Sequence, residues 1–227
     1  MFSRSRALLG DEAMARLAAA QVAVVGVGGV GGWCAEALVR TGVGHITLVD
    51  DDTVQPSNLN RQCPATSKTL GLPKVEAMKS RLLEINPDCD VTAVSARFVS
   101  AADLPRADLV VDAIDSVDCK AELLLAATEN GVPVVSSMGA ALRTDPTKVE
   151  VRRFDKVEGD GLARALRQRF KRLGRFPAAK FACVCSTEAP QTCADAAGRK
   201  GSLMQVTAVF GMCLAAEAVA VLTARAK

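Results

Sequence analysis

Short aliphatic runs alternate along the chain with longer segments in which apolar residues recur every three or four positions. The short runs are typical of buried parallel strands, and the longer segments are typical of helices that cover a sheet. Strands are predicted at 22–25, 46–49, 90–95, 107–114 and 132–136, and helices at 5–20, 30–41, 71–85, 117–129, 162–173 and 204–222. This alternation predicts an α/β fold with a Rossmann-like, mostly parallel sheet flanked by helices.

A glycine-rich turn separates the first predicted strand from the helix that follows it. Its glycines are Gly26, Gly28, Gly29 and Gly31, and Asp50 closes the next strand. Glycines let backbone N–H groups approach a phosphate, and the helix N-terminus adds partial positive charge. A carboxylate at the end of the second strand can hold a ribose hydroxyl. The segment therefore predicts a nucleotide-binding βαβ unit, although the motif alone does not specify the nucleotide.

Polar residues cluster just after the predicted strands, at the edge where a doubly wound sheet binds its ligands. Asn58, Arg61 and Gln62 follow the second strand, and Lys74 opens the next helix although the helix dipole disfavours a cation there. Asp115 emerges at the same edge. A carboxylate at that place can hold a magnesium ion that bridges nucleotide phosphates, or it can cap the helix that follows.

The composition changes between residues 151 and 180, where ten basic and three acidic residues give a net charge of +7, against +3 for the whole chain. The predicted helix at 162–173 carries an apolar face and a cationic face. The cations proposed to contact nucleic acid are Arg164, Arg167, Arg169, Lys171 and Arg172. Such a surface attracts phosphate backbones and loses affinity in salt, whereas an ordinary solvated face is the alternative interpretation.

The cysteines and the C-terminal helix bear on the cellular location of the protein and on membrane insertion. Eight cysteines are scattered without any CxxC pair, and the N-terminus lacks a signal-type apolar core, which predicts free thiols in a reducing, cytoplasmic compartment. The segment 204–222 is nearly all apolar and approaches the length of a membrane span. Because Glu217 would be costly in lipid, we expect this helix to be buried in the core or at a subunit interface, without integral membrane insertion.

Five separated motifs occur in order along the first part of the chain. They are VAVVGVGGVGG, LVDDDTVQPSNLNRQ, GLPKVEAM, INP and DLVVDAIDS. Together they resemble the ubiquitin-activating-enzyme-like adenylation superfamily, which includes the bacterial activators of sulfur-carrier proteins. This resemblance extends from the first helix to about residue 141 and implies ATP-dependent adenylation of a carboxylate, with Mg²⁺ as the metal ion.

Later motifs narrow the resemblance to one branch of that superfamily. RTDPTKVEV, GDGLARALRQRF, VCSTEAPQ and GSLMQVTAVFG are similar to the tRNA threonylcarbamoyladenosine dehydratases. In that branch the substrate carries an amino-acid carboxylate on a modified adenosine beside the anticodon. ATP converts the carboxylate into an acyl adenylate, and an internal nucleophile then displaces AMP and closes a ring. The implied enzyme is of the ligase or cyclase type and releases AMP and pyrophosphate.

The resemblance also assigns residues within the nucleotide site. The four glycines of the turn line the nucleotide, Asp50 binds the ribose with Asp52 beside it, and Asp115 holds the magnesium ion. Asn58, Arg61, Gln62 and Lys74 complete the ATP site. The group expected to act in catalysis comprises Arg61, Lys74, Asp115 and Arg4.

The first helix is expected to contribute to a homodimer. Leu8, Leu9, Met14 and Leu17 are its apolar positions, and Arg4 lies just before its start. In the family pattern, this arginine crosses the interface to the partner subunit's ATP. We thus expect one adenylation domain over 1–227, with an N-terminal helix (1–20), a nucleotide-binding core (21–141) and a substrate-binding extension with the C-terminal helix (142–227).

Three other functions compete with tRNA dehydration. An activator of a small sulfur-carrier or ubiquitin-like protein usually bears CxxC zinc pairs, which this sequence lacks, although a sulfur-transfer-type protein partner stays open. A dinucleotide oxidoreductase would not need the phosphate-binding cations Arg61 and Lys74 or the accompanying Asn58. The third is a non-enzymatic scaffold that binds tRNA or a protein. Among the cysteines, Cys63 lies beside Gln62 and is a candidate for catalysis, whereas Cys193 carries no assigned role.

Overall fold

The computed structural model describes residues 1–192 and 200–224. Its strands are β1 (Gln21–Val25), β2 (His45–Val49), β3 (Asp90–Val94), β4 (Leu109–Asp112), β5 (Val134–Ser137), β6 (Val149–Arg153) and β7 (Ala182–Ser186). Its helices are α1 (Ser3–Ala19), α2 (Gly31–Thr41), α3 (Lys74–Ile85), α4 (Val117–Glu129), α5 (Gly161–Leu173) and α6 (Met204–Thr223). The strands form one seven-stranded sheet in the order β3-β2-β1-β4-β5-β7-β6.

The sheet changes its direction of growth at β1, which lies between β2 and β4. All neighbouring strands are parallel except β6, which pairs with β7 in the antiparallel direction. In β1, Val25 lies opposite Val49 of β2 and Asp112 of β4. The segments that follow these three strands therefore emerge together at one edge. Ligands bind in the crevice at such a point in doubly wound sheets.

Alternate residues of the strands supply two apolar clusters, one on each face of the sheet. Val22 and Val24 of β1 pack into the cluster that includes residues of α1, α2, α3 and α6. Ala23 and Val25 belong to the cluster that includes residues of α4 and α5. Because successive side chains of a strand point to opposite faces, a run that is apolar throughout can build both clusters. The predicted α/β fold with helices flanking a mostly parallel sheet is therefore confirmed.

Two parts of the fold differ from the sequence-based expectation. No strand was expected at β7, yet Ala182–Ser186 forms a largely buried strand between β5 and β6. Its sequence, ACVCS, contains a single β-branched residue, so its strand signal is weak. In α1, Met14 and Leu17 are buried as expected, but Leu8 is 85% exposed. Gly10 has φ 80° and kinks the helix between these positions.

Helix α6 packs one of its faces into the protein. Its residues Val206, Phe210 and Leu214 are buried in the core. Gly211 allows close contact with the start of α2, because a Cβ there would lie 2.6 Å from the carbonyl oxygen of Val30. By length and composition α6 also resembles a membrane span, with 39% of its most apolar window buried. The expectation of a core helix therefore holds for one face, while Met212 is exposed on another.

Candidate active site

The glycine turn leads from β1 into α2 and lies against the segment that follows β4. Gly26 has φ 92°, and a Cβ there would lie 2.6 Å from the carbonyl oxygen of Ala113. A Cβ at Gly31 would overlap the carbonyl oxygen of Gly26. Only glycine fits these two positions, because one needs a left-handed backbone and both lack space. The turn thus brings the start of α2 next to the loop that carries Asp115.

Asp50 follows β2 and anchors the turn. Its carboxylate accepts hydrogen bonds from the backbone nitrogens of Val27, at 2.6 Å, and Asp52, at 2.9 Å. Burial raises the pKa of Asp50, and the Lys74 charge and the two amide donors offset this only in part. Asp50 also lines a cavity of about 800 Å³ that contains the glycine turn. The side chain is therefore held at the place where a ribose would be expected.

The loop after β2 presents its polar side chains to the same cavity. Asn58 uses its side-chain oxygen to accept a hydrogen bond from the nitrogen of Gln55, at 3.0 Å. The carbonyl oxygen of Arg61 accepts one from the Trp33 indole at 2.9 Å, which ties the loop to α2. Gln62 is buried, and its Oε1 atom has no hydrogen-bond partner among the described residues. All three predicted loop residues, Asn58, Arg61 and Gln62, line the cavity.

Lys74 and Asp52 form an ion pair at the cavity wall. The Nζ atom of Lys74 donates to Oδ2 of Asp52 at 2.6 Å, and the side chains are 7% and 63% exposed, respectively. The backbone nitrogen of Lys74 also donates to the carbonyl oxygen of Asp52, at 2.9 Å. Both residues line the cavity as expected. A phosphate that binds Lys74 therefore has to share its ammonium group with Asp52.

Asp115 is exposed in the short segment between β4 and α4, and it lines the cavity. The N-cap of α4 is Ser116, and it makes no side-chain capping bond. Of the two sequence interpretations for Asp115, capping of this helix is therefore wrong. Three other carboxylates, on Asp50, Asp51 and Asp52, lie within 4.8 Å of one another, and Asp115 is not part of that group.

A buried ion pair that was not predicted from the sequence lies beneath the segment between β4 and α4. Lys120 lies 2.8 Å from Oδ2 of Asp112, and both side chains are 0% exposed. Lys120 also donates to the carbonyl oxygen of Ile114 at 3.0 Å, and Ser136 donates to Asp112 at 2.6 Å. The pair thereby holds the backbone just before Asp115. A lysine on the buried face of a predicted helix was the available signal, because such a lysine requires a partner.

The second half of the cavity lies beyond β5. Its wall is formed by residues 139–143 and by the first turn of α5. Asp160 joins these parts: its carboxylate accepts from the nitrogens of Gly139 at 3.1 Å and Ala163 at 2.9 Å, and from Nη2 of Arg143 at 3.1 Å. The Arg143–Asp160 pair is almost fully buried. Neither residue was assigned a role from the sequence, although Arg143 opens the RTDPTKVEV motif and Asp160 lies in the GDGLARALRQRF motif.

The cationic helix α5 divides its charges between two roles. Arg164, Lys171 and Arg172 are exposed, as a surface for nucleic acid requires. Arg167 instead donates to the carbonyl oxygens of Phe154, at 2.8 Å, and Val157, at 2.6 Å. Its guanidinium also lies over the Phe154 ring, 5.1 Å from the centroid.

Acidic residues of α4 neutralise part of the basic segment. Arg169 forms an ion pair with Asp118 at 2.9 Å, without the alignment of a hydrogen bond. Arg175 pairs with Glu122 and Glu129. Tertiary partners therefore engage Arg167 and Arg169, whereas Arg164, Lys171 and Arg172 are the exposed members of the predicted group. Those partners lie in other segments of the chain, which sequence patterning could not reveal.

Cys63 is buried behind the loop that follows β2. Its thiol donates to Oε2 of Glu36 at 3.1 Å. Burial and the neighbouring Glu36 carboxylate raise the pKa of Cys63 to about 12, so the thiol stays protonated at neutral pH. Glu36 also accepts from Arg81 at 2.5 Å. Cys63 therefore serves the loop's packing, and the suggested catalytic role is not supported; Cys193 lies outside the described residues.

Arg4 lies in the exposed first turn of α1, and it is not among the described residues that line the cavity of its own chain. The other predicted ATP residues lie around that cavity except Gly31, which packs behind the turn. The seven described cysteines are free thiols, as the sequence predicted. The described structure therefore does not place Arg4 in the ATP site of its own chain.

The strand order, the glycine turn and the charged cavity define a nucleotide-binding α/β protein of the doubly wound type. The chain belongs to the ThiF family, whose profile matches residues 2–227. The resemblance to the ubiquitin-activating-enzyme-like adenylation superfamily is thereby confirmed.

Several relatives are named tRNA threonylcarbamoyladenosine dehydratases. The tRNA threonylcarbamoyladenosine dehydratase of Bacillus subtilis (strain 168) is 40% identical over 76% of this chain and 70% of its own length. That of Escherichia coli (strain K12) is 38% identical over 99% of this chain and 94% of its own length. The crystal structure of the E. coli enzyme in complex with ATP matches with a TM-score of 0.88 and 38% identity, covering 97% of this chain and 93% of that one.

The alternative branch matches less of the chain. The molybdopterin-synthase adenylyltransferase of E. coli (strain K12) is 37% identical, but over 66% of this chain and 59% of its own length. The comparisons therefore favour the tRNA threonylcarbamoyladenosine dehydratases over the activators of carrier proteins, as the later motifs indicated.

Replacing Lys120 by Met tests the buried support of the Asp115 segment. The change leaves the Asp112 carboxylate buried without its cation, so we expect the free energy of unfolding to fall by about 3–5 kcal/mol. Chemical denaturation followed by circular dichroism measures this. Lys68 is exposed, and Lys68→Met should shift stability by less than about 0.5 kcal/mol. Equal effects of the two substitutions would contradict a stabilising role for the pair.

Proposed function

We propose that this protein is an ATP-dependent tRNA threonylcarbamoyladenosine dehydratase that closes a ring on the modified adenosine beside the anticodon. The observation that carries the proposal is one cavity that joins the glycine turn, Asp50 and Asp115 to the start of the basic helix α5. A nucleotide and a substrate side chain can meet there. The relatives named above, including an enzyme whose structure contains ATP, support the same activity.

ATP binds with its phosphates at the glycine turn and its ribose at Asp50. Backbone N–H groups at the start of α2 suit the phosphates, and the Asp50 carboxylate suits ribose hydroxyls. Gln62 offers a buried acceptor without a partner among the described residues. Arg61 and Lys74 supply the positive charge around the phosphates. Asp115 is the carboxylate for Mg²⁺, and its exposed oxygen is the hard ligand that this ion prefers.

The first chemical step makes the substrate carboxylate a good electrophile. A carboxylate resists attack because its leaving group would be oxide. Its oxygen attacks the α-phosphorus of ATP, a P–O bond to the leaving pyrophosphate breaks, and an acyl adenylate forms. Arg61 and Lys74 stabilise the negative charge that spreads over the phosphate oxygens, and a magnesium ion held by Asp115 would supply further positive charge there. Positioning by the cavity supplies much of the remaining rate enhancement.

The second step closes the ring within the substrate. An internal nucleophile of the threonylcarbamoyl group attacks the activated carbonyl carbon and displaces AMP, which keeps one oxygen of the original carboxylate. Water is thus lost overall, and its oxygen leaves in AMP. This route needs no enzyme thioester, which agrees with the protonated, buried Cys63.

The exposed cations of α5 bind the tRNA backbone. The helix begins at the cavity, where Gly161 and Leu162 line the wall, and Arg164, Lys171 and Arg172 follow along it. Phosphates held by these residues can place the modified base at the cavity mouth. The substrate-binding extension (142–227) would therefore act together with the nucleotide-binding core (21–141) as one adenylation domain.

A homodimer would complete the ATP site. In this dimer Arg4 reaches the ATP of the partner subunit, as the family pattern implies, and its absence from the lining of its own cavity supports this placement. Leu8, on the same part of α1, is 85% exposed and would be available to such a contact. We also expect a cytoplasmic location. A sulfur-transfer-type protein is retained as a possible additional partner, whereas activation of a carrier protein is the less favoured function.

The product of the reaction tests the function directly. Incubation of tRNA that carries threonylcarbamoyladenosine with enzyme, ATP and Mg²⁺ should yield a nucleoside lighter by one water, seen by mass spectrometry. Asp115→Ala should lower turnover at least about 100-fold because it removes the carboxylate that would hold the magnesium ion beside the phosphates. Asp118 lies nearby outside the cavity lining, and Asp118→Ala should retain activity. Pyrophosphate release stimulated by a small carrier protein instead would favour the alternative.

Mixed dimers test the position of Arg4. The variants Arg4→Ala and Asp115→Ala should each be inactive alone. After dissociation and random reassociation, half of the dimers would contain one intact site, so activity should return to about a quarter of the wild-type value. If Arg4 acted within its own subunit, the mixed dimers would recover no activity. If the Arg4→Ala enzyme alone were active, Arg4 would not belong to the site.

Salt dependence tests the tRNA surface. Combined reversal of Arg164, Lys171 and Arg172 to Glu should weaken tRNA binding and flatten the slope of log K against log salt by about two to three units. Filter binding across a salt series measures both. A reversal of Lys68, Arg106 and Lys148 changes net charge equally on other exposed positions. If both triple variants lose the same affinity, overall charge and not this surface governs binding.

A further inference from the structure

Arg143 lies in the cavity wall and has one buried hydrogen-bond donor that is unpaired among the described residues. Its side chain is almost completely buried, with Nε donating to the carbonyl oxygen of Gly139 at 3.0 Å and Nη2 donating to Asp160 at 3.1 Å. The Nη1 atom is buried and has no hydrogen-bond partner among the described residues. Buried donors are nearly always paired in native proteins, so an unpaired one at a cavity indicates a ligand.

The backbone next to Arg143 is held in an unusual conformation. Leu142 has φ 63°, the only non-glycine residue with positive φ in the described parts of the chain. Its nitrogen donates to the carbonyl oxygen of Gly201 at 2.9 Å, and its carbonyl oxygen accepts from Gln191 at 2.8 Å. Such strain persists where surrounding contacts enforce it, often at ligand sites. Two later segments of the chain thus hold the backbone next to Arg143, while Gly139 and Asp160 hold its side chain.

The charge of Arg143 is already compensated. Asp160 is itself fixed by three donors: the nitrogens of Gly139 and Ala163 and the guanidinium of Arg143. A second anion would therefore meet a carboxylate that already neutralises the arginine. A neutral oxygen acceptor, such as an amide or urea carbonyl, suits the remaining Nη1 donor better.

The position of Arg143 along the sheet edge matches one part of the proposed substrate. The glycine turn follows β1, Asp115 follows β4, and the loop of Arg143 follows β5. Neighbouring strands lie about 5 Å apart, so the segments after β4 and β5 leave the sheet about one strand spacing apart, and the loop of Arg143 follows the strand farther from β1 and β2. In a threonylcarbamoyl group, two atoms separate the carboxyl carbon from the carbamoyl carbon. The carbamoyl oxygen falls within that short range.

We propose that Nη1 of Arg143 donates a hydrogen bond to the carbamoyl carbonyl oxygen of the substrate and so forms a specificity subsite for the urea group. This inference rests on the proposed dehydratase function. The contact would hold the urea beside the carboxylate that ATP activates, in a position from which the ring can close. A tRNA whose adenosine lacks the carbamoyl group would leave the Nη1 donor unpaired and bind less well.

Two variants separate this contact from the structural pair. Arg143→Lys keeps a cation for Asp160 but lacks the forked guanidinium, so one ammonium group cannot serve Asp160 and the Nη1 position together. The double variant Arg143→Met with Asp160→Asn removes both buried charges at once, which avoids an unpaired carboxylate. Arg153→Lys, in an exposed ion pair with Asp155, is the matched control.

Steady-state kinetics with the full-length enzyme and modified tRNA then measure KM and kcat for each substrate. We expect Arg143→Lys and the double variant to lower kcat/KM for the tRNA about 10- to 100-fold, the range for losing one charge-assisted hydrogen bond. The dissociation constant for ATP should change less than about twofold, because the contact touches only the acyl group. The control variant should match the wild type in both measurements.

Specific results would overturn the subsite. If either variant folds and keeps the wild-type kcat/KM for tRNA, then Nη1 of Arg143 makes no contact that the reaction needs. An equal loss of ATP and tRNA affinity shows that the Arg143–Asp160 pair only supports the fold. If the wild-type enzyme itself forms no dehydrated nucleoside, the proposed function fails, and this outcome is recognised before any variant is compared.

Discussion

The register of three parallel strands is the constraint on which the rest of the site depends. Val25 of β1 lies opposite Val49 of β2 and Asp112 of β4, so all three strands end at the same level. The glycine turn, Asp50 and the segment with Asp115 emerge together because of this alignment. A shift of one residue in any strand would turn its side chains to the other face and move these groups apart.

Buried ion pairs hold the loops that follow the strands. Asp112 and Lys120 secure the segment before Asp115, and Arg143 and Asp160 secure the loop after β5 to the start of α5. In each pair the cation also donates to a carbonyl oxygen of the loop, at 3.0 Å in both cases. Such pairs add little net stability over apolar residues, but they impose one loop conformation. A site that must align a phosphate with a carboxylate benefits from that rigidity.

Helix α5 shows how one element can serve both packing and recognition. Arg167 ties it to the segment after β6, and Arg169 lies against α4, while the remaining exposed cations face solvent. Its first turn forms part of the cavity wall and is capped by Asp160. The proposed RNA surface and the proposed acyl subsite therefore share one rigid support, which couples the position of the tRNA to that of the reacting group.

By itself the sequence determined the fold class, the nucleotide turn and the polar residues at the sheet edge, because these depend on local periodicity and on motifs within short segments. The helix predicted at 117–129 is α4, and residues such as Asp50, Arg61 and Lys74 line one cavity as the order of elements implied. Strand β7 went unpredicted because its residues are mostly small, and its burial comes from its position between β5 and β6. Only the tertiary structure decided which cations are free, which charges are buried as pairs, and that Arg143 carries an unpaired donor. Those properties depend on contacts between distant segments, which no local pattern in the chain encodes.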